Sequence, residues 1–447
     1  MKKYLALLLV LVMVLSLAAC ASKPAETTDE PEKTTTEPAP AEETKDEEPA
    51  PAEETKEEEP TEEPADNTEY AVAMITDYGD ITDQSFNQTT YEACKAFCED
   101  NGVEFSYFKP AGDNTADRVA MIEKAVDEGY NVIVMPGYAF GGAIVEAAPE
   151  FPDVKFIALD VAKGDLLEAG VAKAGESYDY NPDNWDLEKY VDMSNVYCAI
   201  YQEELCGYMA GYAAVKLGYK SLGFLGGMAV PAVIRYGYGF VQGVDAAAAD
   251  LGLSDVTVKY VYGGQFFGDA DITAVMDTWY AGGTEVVFAC GGGIYTSAVD
   301  AAKKANAKVI GVDVDQAGVI AKYAAGDGAD EATIAQYLDL TVTSAMKGLY
   351  PATYDTLTDV IVNGNWEKYV GKIETLGLVS GTDPEANYVQ IPMGDGTQWS
   401  DSFTQDDYKA MVADMFDGKV TVSNDTKKAA KDFATVITVN DQGQIKG

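Results

Sequence analysis

The stretch YAVAMIT at residues 70–76 is a short apolar run, and QSFNQTTYEACKAFCED at 84–100 repeats its apolar side chains at helical spacing. A second apolar run, VEFSYF at 103–108, follows directly. A strand, a helix and another strand in this order are typical of a parallel sheet, because parallel neighbours need a long crossover connection. Residues 70–108 therefore predict the start of an α/β fold.

The same alternation continues through most of the chain. Further strands are predicted at 131–136, 154–160, 195–200, 221–225, 256–262, 285–290 and 308–312. Helices are predicted at 117–128, 140–151, 202–217, 231–250, 270–280, 296–306 and 333–350, and a long polar surface loop at 161–194. Because the pattern restarts near residue 202, the chain predicts two doubly wound lobes with a ligand cleft between them.

The first twenty residues have the pattern of a bacterial secretory signal. Lys2 and Lys3 precede an apolar run, and Leu-Ala-Ala-Cys at 17–20 resembles a lipobox, in which the thiol of Cys20 is lipidated. Residues 21–69 contain 19 acidic residues and 4 lysines among Pro, Thr and Ala, a composition typical of disordered chain. We therefore expect an extracytoplasmic protein that is lipid-anchored to the bacterial cell membrane through Cys20.

Four segments are predicted along the chain. They are a lipoprotein signal peptide at 1–20, an acidic tether at 21–69, a bilobed body at 70–420 and a tail segment at 421–447. Within the body, the first lobe is expected at about 70–218 plus returning C-terminal segments, and the second at about 219–345.

Composition argues against several classes of function. The formal net charge of −43 disfavours nucleic-acid binding, and the absence of histidine removes His-dependent triads and His metal sites. We expect no enzyme activity, no metal and no cofactor, and a monomer. Five cysteines besides Cys20 cannot form a closed set of disulfides, so most are expected as buried apolar residues. Arg118 and Arg235 are the only arginines, which leaves few partners for a phosphate group.

Aromatic, amide and carboxylate side chains follow the predicted strands at their carboxyl ends, where ligands of open α/β sheets bind. Phe86 and Asn87 come after the first strand, with Asp83 as a candidate helix cap, and Asp160 follows the fourth strand. Each also has a structural interpretation: Phe86 could pack in the core and Asp160 could start a turn. Asp313 and Asp315 could bind a metal, act in catalysis or chelate a sugar diol, while Lys347 is more typical of a solvated helix lysine.

Six motifs occur in an order and spacing that resemble the basic membrane protein (BMP) family. They are DQSFNQ at 83–88, NVYCAIYQEELCGYMAGYAA at 195–214, GFLGG at 223–227, GFVQGV at 239–244, GVDVDQ at 311–316 and TSAMK at 343–347. Members of this family are lipid-anchored substrate-binding proteins of ABC importers, and characterised members bind purine nucleosides. The resemblance spans roughly residues 70–420. It implies a type I periplasmic-binding-protein fold, a nucleoside ligand, and ABC permease and ATPase partners.

The resemblance also implies roles for individual residues. Phe86 and Tyr236 would sandwich the base, with Asn87 nearby and Asp160 accepting hydrogen bonds from the purine. Asp313 and Lys347 would bind the ribose hydroxyls, and the backbone at Gly291 or Gly292 would close on the sugar. Position 236 is Tyr where Phe is usual in the family, so an added hydroxyl is expected to alter ligand preference.

Three alternatives remain at this point. The same fold could bind a sugar or a small signalling molecule. An extracellular hydrolase could use Asp313 and Asp315 as a carboxylate pair. A surface adhesin would explain the anchor and the tether but not the residues at the strand ends.

Overall fold

Apolar runs form the strands where periodicity predicts them, with boundaries that mostly agree within two residues. The computed structural model describes residues 69–77 and 79–446, so the predictions for 1–20, for Cys20 and for nearly all of 21–69 lie outside the described residues. The strands are β1 (Ala71–Ile75), β2 (Glu104–Phe108), β3 (Val132–Pro136), β4 (Lys155–Leu159), β5 (Val196–Tyr201), β6 (Ser221–Gly226), β7 (Thr257–Tyr262), β8 (Val286–Cys290), β9 (Lys308–Asp313), β10 (Thr341–Lys347), β11 (Ile373–Leu376), β12 (Val389–Gln390) and β13 (Thr438–Gln444).

Helices connect these strands. They are α1 (Phe86–Asn101), α2 (Thr115–Asp127), α3 (Phe140–Ala147), α4 (Lys163–Lys173), α5 (Leu187–Tyr190), α6 (Glu203–Lys216), α7 (Pro231–Asp250), α8 (Ala270–Ala281), α9 (Tyr295–Ala305), α10 (Ala317–Ala325), α11 (Glu331–Ala335), α12 (Leu349–Leu357) and α13 (Gln405–Phe416).

Two separate sheets are present in the described residues. The first has the order β11-β5-β4-β3-β1-β2 and the second β12-β10-β9-β8-β6-β7-β13. All neighbouring strands are parallel except β10 and β12. In the first sheet, β2 lies on one side of β1 and β3 on the other, and in the second sheet β7 and β8 lie on opposite sides of β6. The connections therefore leave in opposite directions, and a crevice opens between β1 and β3 and between β6 and β8. This arrangement confirms the predicted α/β fold with two doubly wound sheets.

The C-terminal part of the chain returns to both sheets. It supplies β11 to the first sheet and β12 and β13 to the second. The segment predicted as a tail therefore includes a strand that pairs in parallel with β7. The lobe boundaries given above stay a prediction.

The predicted helix at 333–350 is wrong. The range contains only the end of the short α11, one turn of 3-10 helix at Leu338–Leu340 and the start of α12, and Thr341–Lys347 forms β10 between β9 and β12. The residues TVTSA at 341–345 are buried, and their β-branched side chains suit an internal strand. A short apolar run of this kind cannot be assigned to helix or strand by periodicity alone.

The predicted polar loop at 161–194 also needs correction. It contains the helix α4, whose Leu166, Leu167 and Val171 are buried, and the short α5. The acidic residue at the first turn caps the helix, since Asp165 Oδ2 accepts a hydrogen bond from the amide of Ala162 at 2.8 Å.

The five cysteines among the described residues are all buried and free, as expected from their number. Of the helices described, none is long and apolar enough to cross a membrane.

Candidate functional site

A single cavity at the carboxyl ends of both sheets is lined by every residue that the sequence singled out as a ligand contact. These residues are Phe86, Asn87, Asp160, Tyr236, Gly291, Gly292, Asp313 and Lys347. Asp77, Gly137 and Tyr138, from the loops after β1 and β3, complete the wall on the side of the first sheet. The cavity therefore lies at the crevices of the two sheets, where the topology directs ligands.

The loop before α1 is organised by the carboxylate of Asp83. Its oxygens accept hydrogen bonds from the amides of Ser85, Asn87 and Gln88 at 2.9 to 3.1 Å, although Ser85 is the residue that directly precedes the helix. The N-cap position predicted for Asp83 is therefore wrong, since Ser85 occupies it, but the Asp83 carboxylate does bind amides of the first turn. The Asn87 amide nitrogen also donates to Asp83, at 3.1 Å, which fixes the orientation of the buried side chain. Asn87 Oδ1 is left without a partner among the described residues and lines the cavity.

Three aromatic rings face one point, the Lys347 ammonium, and the centre of the Tyr201 ring lies 5.3 Å from it. The Lys347 ammonium lies 4.5 Å from the centre of the Phe86 ring and 5.7 Å from the centre of the Tyr236 ring. Phe86 begins α1 on the first sheet, and Tyr236 lies on α7, which follows β6 of the second sheet. The Phe86 and Tyr236 rings therefore belong to elements of different sheets.

Lys347 is not the solvated helix lysine that its sequence suggests. It ends β10, its side chain is 3% exposed, and its ammonium donates to Asp160 Oδ2. The ammonium also lies 3.6 Å from Glu203 Oε1 and 3.8 Å from Asp313 Oδ1. Burial alone would lower the pKa of Lys347, but the carboxylates of Asp160, Asp313 and Glu203 outweigh it and raise this pKa, so the lysine stays charged.

Burial and the neighbouring cations have opposite effects on the pKa of Asp160, and burial has the larger effect. Burial raises the pKa of its carboxyl group to about 6 even though Lys347 favours the ionised form. Glu204, the residue after Glu203, is also buried, and burial raises the pKa of its carboxyl group to about 7. Asp160 Oδ1 is buried and has no partner among the described residues.

The carboxylate of Asp313 joins the two sheets. Its Oδ2 accepts a hydrogen bond from Ser85 Oγ at 2.6 Å, and its Oδ1 accepts one from the Tyr236 hydroxyl at 3.1 Å. Asp160 and Asp313 both have positive φ angles, of 60° and 66°, a conformation that few residues other than glycine adopt. Each strand thus ends in a sharp change of direction that places a carboxylate in the cavity. Asp315, two residues on, is exposed and its Oδ1 accepts from the amide of Ala317, so it does not pair with Asp313.

Gly291 and Gly292 form the turn after β8 with φ angles of 139° and 48°. A β-carbon at Gly291 would lie 2.7 Å from the Phe266 ring, and one at Gly292 would lie 3.0 Å from the Phe266 carbonyl oxygen. Because no side chain fits there, the backbone itself forms this part of the cavity wall.

The sequence analysis missed the buried ion pair beneath the cavity. Glu203, at the start of α6, is fully buried and accepts a hydrogen bond from Arg235 Nε of α7 at 2.6 Å. Burial opposes ionisation of Glu203, yet Arg235 and Lys347 lower its pKa below the usual range. One sequence signal could have found this pair: α6 and α7 each carry glycines four residues apart, at 207 and 211 and at 239 and 243.

These glycines bring the two helix backbones together. A β-carbon at Gly207 would lie 2.3 Å from the Tyr236 carbonyl oxygen, and one at Gly239 would lie 2.0 Å from the Glu204 carbonyl oxygen. No side chain can be accommodated at either contact, so glycine is required for this close approach. The contact between the helices sets the position of Tyr236 above the cavity and of Glu203 beneath it.

Comparison with known proteins agrees with this architecture. The ABC transporter nucleoside-binding protein BmpA of Lactococcus lactis subsp. cremoris is 26% identical over 79% of this chain and 89% of that protein. An uncharacterized lipoprotein of Pyrococcus abyssi is 25% identical over 71% of this chain and 69% of that protein. A crystal structure of an ABC transporter solute-binding protein from Aeropyrum pernix K1 shares the fold, with a TM-score of 0.55 and 19% identity over 81% of this chain and 90% of that chain.

The structural neighbour confirms the expected type I periplasmic-binding-protein fold. A family profile described as "ABC transporter substrate-binding protein PnrA-like" matches residues 70–382, which is most of the described chain. A substrate-binding protein of this kind acts outside the cytoplasm, takes a small-molecule ligand and works with a permease and an ATPase; it is not an enzyme. The chain belongs to the Bmp family of PnrA-like ABC transporter substrate-binding proteins.

Proposed function

We propose that this protein captures a purine nucleoside in the cavity and delivers it to the permease of an ABC importer. The observation that carries the proposal is the pair of rings, Phe86 and Tyr236, that face one point beside two unpartnered buried acceptors, Asn87 Oδ1 and Asp160 Oδ1. A flat heterocycle with ring N–H and amine donors is complementary to this arrangement.

In this proposal the base lies between Phe86 and Tyr236, and each stacking contact contributes on the order of 1 kcal/mol beyond burial of area. Donors on the base satisfy Asn87 Oδ1 and Asp160 Oδ1. The Lys347 ammonium, which lies near both rings in this structure, moves toward the sugar and binds its hydroxyls together with Asp313. The backbone at Gly291 and Gly292 closes on the sugar.

Charge favours an uncharged ligand over a nucleotide. Carboxylates outnumber cations around the cavity, and the guanidinium of Arg235 is already paired with Glu203. A phosphate group would approach the carboxylates of Asp160 and Asp313, with no free guanidinium among the described residues of the cavity wall to bind it through two hydrogen bonds. We expect a nucleoside monophosphate to bind at least about 100-fold more weakly than the nucleoside, measured by isothermal titration calorimetry. Affinity of the monophosphate equal to that of the nucleoside would contradict this assignment.

Membrane attachment forms part of the same proposal. The thiol of Cys20 is lipidated, and residues 21–69 tether a monomeric body to the outer face of the cell membrane. The Pyrococcus abyssi relative is named a lipoprotein, which supports this assignment. Labelling with radioactive palmitate should mark the protein, and Cys20→Ser should abolish the label and release the protein from the membrane fraction.

The ligand can be identified directly. Mass spectrometry of the small molecules released when the gently purified protein is denatured should recover an intact purine nucleoside in a 1:1 ratio. The variant Asp313→Ala, purified in the same way, should carry less of it. Recovery of a sugar in place of a nucleoside would keep the fold and overturn the ligand assignment.

A further inference from the structure

The carboxylate of Asp313 is already satisfied by hydroxyl groups of the protein. Ser85 Oγ lies 2.6 Å from Oδ2, the Tyr236 hydroxyl lies 3.1 Å from Oδ1, and all three side chains are buried. Lys347 is more distant, at 3.8 Å from Oδ1. Asp313 therefore has a hydrogen-bond donor at each oxygen before any sugar hydroxyl arrives.

The Tyr236 hydroxyl is held in this position by its surroundings. The ring packs edge-on against Phe288, with centroids 6.0 Å apart and an interplanar angle of 85°. The backbone of α7 at Tyr236 is in close contact with Gly207 of α6. Both contacts restrain the ring and the helix at the position where the hydroxyl meets Asp313 Oδ1.

We propose that the Tyr236 hydroxyl takes the place of one ribose hydroxyl, so that the site accepts deoxyribonucleosides as well as ribonucleosides. This inference rests on the proposed function, in which Asp313 receives the sugar. A site that depends on a ligand hydroxyl rejects the analogue without it, because a buried carboxylate is then left unpaired. Here Oδ1 keeps its donor whichever sugar is bound, and Tyr236 determines the specificity of the site.

The same geometry predicts what removal of the hydroxyl does. In Tyr236→Phe the ring remains and stacking is kept, but Oδ1 loses its donor. A ribose hydroxyl can replace that donor and a deoxyribose cannot. Tyr236→Phe should therefore weaken binding of a deoxyribonucleoside while leaving the ribonucleoside unchanged or bound more tightly.

The test is isothermal titration calorimetry of the full chain, freed of bound ligand, with inosine, 2′-deoxyinosine and 3′-deoxyinosine. The quantity compared is the ratio of the dissociation constant of a deoxynucleoside to that of inosine. For the unaltered protein this ratio should be about threefold or less for at least one deoxynucleoside, and Tyr236→Phe should raise it to about tenfold or more. Tyr260→Phe is the matched control: its buried hydroxyl bonds to Tyr262 at 2.9 Å and not to Asp313, so it should leave the ratio unchanged. If Tyr236→Phe does not fold, the ratio in the unaltered protein decides, because the inference requires it to stay within about threefold.

The role of Tyr236 would be overturned by a ratio of about tenfold or more in the unaltered protein, or by a ratio that Tyr236→Phe leaves unchanged. Binding of inosine would still uphold the proposed function. If inosine does not bind, the comparison is repeated with guanosine and adenosine and their deoxy forms. Failure of the unaltered protein to bind any of these purine nucleosides would overturn the proposed function and this inference together.

Discussion

Lys347 and Asp160 form a buried ion pair that joins the end of β10 in the second sheet to the end of β4 in the first. The two side chains are 3% and 8% exposed. Lys347 also lies within 4 Å of Glu203 and Asp313, so one ammonium group offsets three carboxylates. The charged side chains that we assign to ligand binding therefore also connect the two sheets at the cavity.

Replacement of this lysine should destabilise the fold. Lys347→Met leaves buried carboxylates without their shared cation, and breaking a buried pair costs roughly 3 to 5 kcal/mol of unfolding free energy. Urea unfolding at neutral pH measures the change. Lys419→Met removes an exposed ion pair with Asp414 and should cost less than about 1 kcal/mol. Equal effects of the two substitutions would contradict the role of the buried cluster.

Ligand affinity should depend on pH through Asp160. Burial raises the pKa of Asp160 to about 6, and a ligand N–H donated to Oδ1 favours the ionised carboxylate. Binding must then displace a proton below that pH, so affinity falls as pH falls, by about tenfold between pH 7 and pH 5. Calorimetric titrations at the two pH values measure this, and Asp160→Asn should bind more weakly but with affinity independent of pH. Equal affinities of the unaltered protein at pH 5 and pH 7 would refute the assignment.

Asn87→Ala should weaken binding with little effect on the fold. Asn87 Oδ1 has no partner among the described residues, so the substitution removes a hydrogen bond that the ligand would make. Within the described part of the protein it removes only the hydrogen bond from the Asn87 side chain to Asp83. We expect affinity to fall about fivefold to 100-fold, corresponding to roughly 1 to 3 kcal/mol. Asn101→Ala, at the other end of α1, should leave affinity unchanged, and a similar loss in both variants would point to an indirect effect.

Asp313→Ala should discriminate between nucleosides and free bases. The carboxylate contacts only the sugar in our account, so its loss should weaken ribosides by about tenfold or more and leave purine bases nearly unchanged. Competition between a labelled nucleoside and unlabelled bases provides the measurement. Weakening of both classes by the same factor would show that Asp313 does not act through the sugar.

The sequence predicts both the doubly wound sheets and the position of the site, because the candidate residues follow the predicted strands along the chain. Asp160, Gly291 and Asp313 lie at or directly after the end of a strand, and Phe86 begins the helix that follows β1, so topology brings them to one edge. Their roles stay a proposal, but their convergence on one cavity is a structural fact.

Lys347 and Glu203 show where pattern reasoning fails. The run TVTSAMK has no clear period, so its strand form depends on pairing with β9, and the burial of Lys347 follows from that pairing. The contact of Glu203 with Arg235 depends on how closely α6 approaches α7. Local propensity carries no information about that distance, although the paired glycine spacings in both helices indicate it.

Isothermal titration calorimetry of the ligand-free protein with guanosine, inosine and adenosine tests the central claim most directly. The account predicts 1:1 binding of at least one of them with a dissociation constant of about 1 μM or below, and no measurable heat with hexoses or pentoses. Binding of a sugar, with no purine nucleoside bound even at about 1 mM, would contradict it.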